Sequence, residues 1–149
     1  MNRRQSQIHA VAERRYGDAC ALRDTNHGER ATGTIYLAGL AIEIALKAQL
    51  LAAYPWLSGS RSRKANLRGK EAWIHDLYWK LHDLDGLAHE VPGTLRRIKN
   101  RGGAPLVQRF KRICSEWRIE IRYRSDRKTI AEAAQFLAVA KEVKECLRS

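Results

Sequence analysis

The feature that most constrains this chain is one long apolar segment, residues 31–53, which is rich in Ala and Leu. A helix drawn over it is apolar on nearly every face, and such a helix is stable only where other elements surround it. Glu43, Lys47 and Gln49 interrupt the segment, so its uninterrupted part is shorter than the ~20 apolar residues of a membrane span. The segment therefore predicts the buried central helix of a bundle.

The rest of the chain carries apolar residues at the three- and four-residue intervals of amphipathic helices. We expect a first helix before residue 24, a third across residues 74–88, a fourth from Pro105 through Ile121, and a fifth after a capping box at residues 129–132. At 149 residues the chain fits a single domain, 1–149. The predicted fold class is all-α, an antiparallel up-and-down bundle of four to five helices.

The charge is strongly unbalanced, with 28 Lys and Arg against 16 Asp and Glu, for a net charge of +12. Such an excess favours association with RNA, DNA or an acidic protein, although basic residues can also simply solvate helix faces. If the helices run up and down, the N-terminus and the second-to-third and fourth-to-fifth connections share one end. That end would collect Arg3, Arg4, Arg61, Arg63, Lys64, Arg68, Lys70, Arg122, Arg124, Arg127 and Lys128. We predict that it contacts nucleic acid.

Glu43 is the most informative acid, because an unpaired carboxylate on a buried helix is costly. We expect its partner to be Arg122 or, failing that, Tyr123 or another Arg of the fourth helix. A cleft carboxylate acting as a base is the functional alternative. Glu120 either pairs with Arg122 across helices or faces water.

Three histidines, His75, His82 and His89, are spaced seven residues apart, and an acid follows each of them. Seven helical residues advance about 10.5 Å, too far for two of these side chains to share one metal ion. We therefore predict no metal and no cofactor. We expect capping or solvated roles, with His75 and Asp76 at the start of the third helix.

Trp117 lies on the apolar stripe of the fourth helix and is expected to pack in the core. Trp73 and Trp79 are candidates for a dimer surface, although exposed aromatic rings can also stack on bases. The three cysteines are odd in number and far apart, which favours free thiols in a reducing cytoplasm. The polar N-terminal residues contain no apolar signal segment.

Three segments together resemble the HEPN family of prokaryotic proteins. Residues 31–47, with Tyr-Leu-Ala-Gly at 36–39 and Ala-Leu-Lys at 45–47, resemble its second helix. His75-Asp76-Leu77 resembles the start of its third helix, and residues 117–123, with Trp117, Glu120 and Arg122-Tyr123, resemble the signature that ends its fourth. The resemblance spans residues 28 to 128 in the order typical of the family.

The resemblance implies an antiparallel helical bundle, homodimerisation, and a role around RNA or nucleotides. Some HEPN proteins are metal-independent endoribonucleases and toxins encoded beside a minimal nucleotidyltransferase, and others are noncatalytic binding or partner modules. The ribonucleases carry an Arg followed at short spacing by a His, which meet at the dimer cleft. Here Arg122 is followed by Arg127, Lys128 and Thr129 where that His would fall, and no His follows His89.

Metal-free RNA cleavage needs groups that transfer protons near neutral pH, a role that suits His. A tyrosine hydroxyl such as that of Tyr123, with an ordinary pKa of about 10, is a poor proton donor. We therefore expect a noncatalytic dimer that binds RNA, nucleotides or a partner protein. The alternatives are a toxin-like endoribonuclease that uses Arg122 and Tyr123 or a noncanonical His, and an interaction subunit of a defence or nucleotidyltransferase system.

Overall fold

The computed structural model describes residues 1–59, 66–123 and 128–148, with only the backbone at 122 and 123. Within these ranges the chain forms six α-helices and no β-strand. The helices are α1 (Arg3–Asp24), α2 (Ala31–Ala53), α3 (Gly69–Trp79), α4 (Leu84–Glu90), α5 (Thr94–Glu116) and α6 (Ile130–Arg148). Short 3-10 turns occupy Gly28–Arg30, Pro55–Gly59 and Ile119–Tyr123. The all-α class is confirmed.

The central helix of the bundle is α2, as its composition predicted. It contacts α1, α3, α4 and α6, and Ile42, Leu46 and Leu50 on it are fully buried. By length and composition alone the segment Gly28–Ala53 could cross a membrane, but 67% of its most apolar window is buried inside the protein. Most of this apolar window is therefore buried by the other helices of the bundle.

Two contacts show which ends of α1 and α2 lie beside each other. Leu22 packs so close to Gly33 that a Cβ there would lie 2.9 Å from the leucine Cδ2. Near the other ends of the two helices, His9 Nε2 lies 3.2 Å from Gln49 Nε2. The start of α1 is therefore beside the end of α2.

The predicted third helix is wrong, because the structure divides it into α3 and α4. Asp83 caps the start of α4 and accepts a hydrogen bond from Gly86 N at 2.9 Å. Lys47 Nζ donates to the Leu81 carbonyl at 2.9 Å, so a backbone oxygen in the break has a partner. The apolar stripe continues through the break, but the local cap ends the helix. His75 lies in the interior of α3, which begins at Gly69, so its predicted position at the start of a helix is also wrong.

The predicted fourth helix has different limits in the structure. Gly93, with φ of 74°, is the residue before α5, which begins at Thr94, so the basic stretch from Arg96 is helical and not a connection. Gly103 breaks the helix with φ of 70° and ψ of −171°, and Pro105 starts the second part as expected. At its other end α5 stops at Glu116, and Ile121 belongs to a 3-10 turn.

The prediction of one shared basic end is wrong for the described residues. Arg4 Nη1 donates to Ser58 O at 2.7 Å, whereas Lys128 N donates to Thr32 Oγ1 at 3.3 Å. Ser58 and Thr32 lie at opposite ends of α2, whose 23 residues span about 34 Å. Arg4 and Lys128 therefore lie at opposite ends of the bundle.

The extra reversal between α3 and α4 causes this difference. Because two short helices replace one, α5 starts beside the end of α2, where Arg97 Nη1 donates to Gln49 Oε1 at 3.0 Å. The connection from α5 to α6 then lies at the start of α2.

The capping of α6 was predicted correctly, since Glu132 N donates to Thr129 Oγ1 at 3.0 Å.

Candidate functional site

Glu43 lies in the middle of α2 and is only 3% exposed. Its carboxylate accepts from Lys47 Nζ at 2.7 Å, one helical turn further along α2. His82, in the break between α3 and α4, directs Nδ1 at both carboxylate oxygens, at 3.0 and 3.1 Å. The buried charge is thus neutralised, and the cluster fastens the α3–α4 break to α2.

The expected partner Arg122 has no described side chain, so that pairing stays a prediction. Lys47 could have been identified from the sequence, because residues four apart on a helix are neighbours. His82 could not, because its position depends on the break between two helices. Since Glu43 already contacts two cationic or polar groups, a role as a free base is disfavoured.

The three evenly spaced histidines do not converge. His75 is buried within α3, His82 contacts Glu43, and His89 is exposed on α4 with Nδ1 2.9 Å from Asp85 O. In the part of the chain that is described, no group of three or more His, Cys, Asp or Glu could hold a metal ion. Asp76 lies beside His75, with Oδ1 3.5 Å from the histidine Nδ1.

Trp117 packs in the core, as predicted, and is 1% exposed. Its indole lies directly over Gly39, where any Cβ would overlap the ring. The ring of Tyr36 stacks on the same indole at a centroid distance of 6.5 Å and an interplanar angle of 18°. Two of the three sequence segments that resemble HEPN proteins therefore meet at this contact.

The second half of α5 and the first half of α6 frame a groove with a volume of about 850 Å³. A smaller depression of about 290 Å³ continues along the same two helices and shares Arg109, Ala138 and Val139 with the groove. The apolar residues that line the groove are Ile35, Ile113, Trp117, Ile121, Phe136, Ala138 and Val139. The groove therefore offers apolar surface at its base in an otherwise highly charged protein.

Cations dominate one side of this groove. Arg109 and Arg112 are exposed on α5, and neither forms an ion pair with any described residue. Arg118 turns back and donates to the Cys114 and Trp117 carbonyls at 3.2 and 2.9 Å. Two exposed guanidinium groups without an ion pair to a described residue attract anions.

Two acids also line the groove. Glu116 lies at the end of α5, and Glu132 lies on α6. Lys128 Nζ is 3.8 Å from Glu132 Oε2, an ion pair too long for a direct hydrogen bond. The charge of Glu132 is therefore only loosely compensated.

The structure brings together few of the basic residues expected at the nucleic-acid surface. Arg68 and Lys70 are exposed at the start of α3, with Lys70 Nζ 3.6 Å from Glu90, and Lys128 lines the groove. Arg3 and Arg4 begin α1, at the opposite end of the bundle from Lys128. The remaining expected basic residues, and Tyr123, lie outside the described part of the chain, as whole residues or by their side chains: Arg61, Arg63, Lys64, Arg122, Tyr123, Arg124 and Arg127. Glu120 is exposed, which agrees with the alternative that it faces water.

Sequence reasoning missed Arg109, Arg112 and Phe136 as groove residues. The sequence does show the polar face of the predicted fourth helix, but such a face is equally typical of a surface exposed to solvent. Only the packing of α5 against α6 shows that this face borders a groove.

No family model matches the chain, and no curated protein and no solved structure matches it either.

Proposed function

We propose that this protein is a HEPN-type, noncatalytic RNA-binding protein and that the groove between α5 and α6 is its RNA-binding surface. The observation that carries the proposal is the pair of exposed guanidinium groups of Arg109 and Arg112, which form no ion pair with a described residue, beside an apolar groove. Guanidinium groups bind phosphate oxygens through two parallel hydrogen bonds. The net charge of +12 adds long-range attraction for a polyanion.

A merely solvated helix face accounts less well for these arginines. Elsewhere on α5, Arg101 pairs with Glu142 and Glu145 of α6, so the same two helices do form ion pairs where acids face the arginines. Arg109 and Arg112 border a concave surface with an apolar base, where a ligand could bury its own apolar atoms. An RNA strand with its phosphates on the arginine wall and a base or ribose in the groove would use both the positive charge and the apolar base of this surface.

Two features support the HEPN-type fold. The contact of Trp117 with Tyr36 and Gly39 joins segments that resemble the second and fourth helices of the family. The pairing of Leu22 with Gly33, and of His9 with Gln49, supports an antiparallel arrangement of α1 and α2. The division of the predicted third helix into α3 and α4 is a difference from the pattern that the resemblance implies.

The noncatalytic part of the proposal is supported by the chemistry of the groove. No described residue that lines it is a histidine, and Arg122 has no His at the spacing typical of the family.

One observation favours the alternative, a metal-independent endoribonuclease toxin. The ring of His82 is held by Glu43 through Nδ1 while its side chain is 44% exposed, which leaves Nε2 available as a noncanonical proton acceptor.

We further propose a cytoplasmic homodimer whose partners include a minimal nucleotidyltransferase or an antitoxin. Trp73 on α3 is 40% exposed, whereas Trp79 packs edge-on against Tyr78 at a centroid distance of 4.8 Å. Trp73 is therefore the better candidate for the dimer surface. Sedimentation equilibrium should show a dimer that Trp73→Ala weakens, and a monomeric wild-type protein would contradict the proposal.

Binding of a fluorescent single-stranded RNA, measured by anisotropy at fixed salt, tests the RNA proposal. Arg112→Ala should weaken binding by about tenfold, because one charge-assisted phosphate contact is lost. Lys111→Ala is the matched control, since it removes one exposed positive charge from the neighbouring position outside the groove, and it should change binding less than about twofold. Equal losses in the two variants, or no RNA binding by the wild-type protein, would contradict the proposal.

The same RNA incubated with the protein in chelator distinguishes binding from cleavage. We expect intact RNA. Cleavage that His82→Ala abolishes would establish the endoribonuclease alternative, and cleavage that Arg122→Ala abolishes would establish the use of the family arginine.

A further inference from the structure

The two walls of the groove between α5 and α6 differ in chemistry. The α5 wall presents Arg109 and Arg112, whose guanidinium groups form no ion pair within the described part of the chain. The α6 wall presents Glu132, Gln135 and Phe136. An extended ligand that lies in the groove therefore meets cations on one side and hydrogen-bond acceptors with an aromatic ring on the other.

The residues of the α6 wall share one face of the helix. Glu132 and Phe136 are four residues apart, which places their side chains beside each other, and Gln135 lies three residues from Glu132. The side chain of Glu132 is 49% exposed, and Phe136 is half-buried against the core. A carboxylate repels phosphate, so this wall is unsuited to the backbone of a nucleic acid.

On the basis of the proposed function, we infer that the groove binds single-stranded RNA with its phosphates on the α5 wall and a base on the α6 wall. Glu132 then favours bases that carry an amino group. The exocyclic amino groups of cytosine, adenine and guanine donate hydrogen bonds to a carboxylate. Uracil has no amino group, and its N3–H donor lies between two carbonyl oxygens that the same carboxylate repels, so it pairs with Glu132 less well. The base edge must be unpaired to reach Glu132, which excludes duplex RNA.

Phe136 supplies the second part of the interaction. Aromatic side chains beside a cationic groove stack on bases irrespective of their identity. Phe136 should therefore contribute to affinity for every single strand, and Glu132 to the choice among bases.

The test compares labelled oligomers of cytidine, adenosine and uridine of one length, together with a duplex, by fluorescence anisotropy. The wild-type protein should bind the cytidine and adenosine oligomers about tenfold more tightly than the uridine oligomer. Glu132→Gln should reduce this preference to about twofold or less, and Phe136→Leu should weaken binding of all single strands. Glu29→Gln, which removes an exposed acid outside the groove, is the matched control and should leave the preference unchanged.

Each outcome separates this inference from the function on which it rests. Equal binding of all oligomers and the duplex, still weakened by Arg112→Ala, would overturn the inference and leave RNA binding in the groove intact. No binding of any oligomer would overturn both. Displacement of RNA by polyglutamate at equal charge concentration would identify the groove as a site for an acidic protein and would also overturn the inference.

Discussion

Charged side chains are arranged differently in two regions of this protein, the middle of α2 and the groove between α5 and α6. In α2 the carboxylate of Glu43 is buried and is shared by Lys47 and His82. In the groove Arg109 and Arg112 are exposed and form no ion pair with a described residue. Charges that neutralise each other inside the bundle stabilise the fold, whereas uncompensated charges on a concave surface remain available to a ligand.

The largest effect should come from Glu43→Ala. Removing one partner of a buried ion pair leaves the other uncompensated, and we expect a loss of about 3 kcal/mol in the free energy of unfolding, measured with urea. Lys47, at 15% exposed, would lose its carboxylate. His82→Ala is the comparison variant and should cost about 1 kcal/mol, because His82 is 44% exposed. A Glu43→Ala protein as stable as the wild type would remove the distinction between the two regions.

Gly39→Ala should have the next largest effect. The added methyl group would overlap the indole of Trp117, and such overpacking typically costs about 1–3 kcal/mol. The same substitution at Gly17, where a Cβ would meet nothing within 4 Å, should instead stabilise α1 by up to about 1 kcal/mol. Thermal unfolding of the two variants checks the prediction, which fails if their melting temperatures shift in the same direction.

In the groove, the double variant Arg109→Ala/Arg112→Ala should leave the free energy of unfolding within about 0.5 kcal/mol of the wild type. Its RNA binding should depend less on salt, because each lost phosphate contact lowers the slope of log affinity against log salt by about 0.7 for a single strand. Two contacts correspond to a decrease of about 1.4. An unchanged slope, or a markedly destabilised protein, would show that these arginines belong with the structural charges of α2.

The smallest effect concerns His9, which contacts Gln49 at the end of α2. Burial, and then the positive charge of Arg148, lower the pKa of His9 below its ordinary value of 6.5. The unfolded chain therefore binds a proton more readily than the folded protein, so stability is complete above pH 6.5 and decreases as the pH falls below it.

Urea unfolding between pH 7.5 and pH 5.5 measures this loss. His9→Gln should reduce the pH dependence, whereas His27→Gln, at an exposed position, should leave it unchanged. An identical pH dependence in all three proteins would contradict the assignment to His9.

Local patterns in the sequence predicted several parts of the structure. The end of α2 at Tyr54 and the Thr129 cap of α6 depend on residues close together in the chain, and the core position of Trp117 follows from an apolar stripe. The break before α4 was missed because Asp83 had to be recognised as a cap inside a continuing stripe. That one error also displaced the connection before α6 from one end of the bundle to the other.

The sequence by itself determined that the chain is all-α, that residues 31–53 form its central helix, and that Glu43 requires compensation there. These conclusions follow from helical periodicity and from the cost of burying a charge, which are properties of a single helix. The tertiary structure decided that His82 joins Lys47 in compensating Glu43, and that Arg109, Arg112 and Glu132 line one groove. His82 lies outside α2, and Glu132 lies on a different helix from the two arginines, so only the packing of these elements brings them within reach of each other.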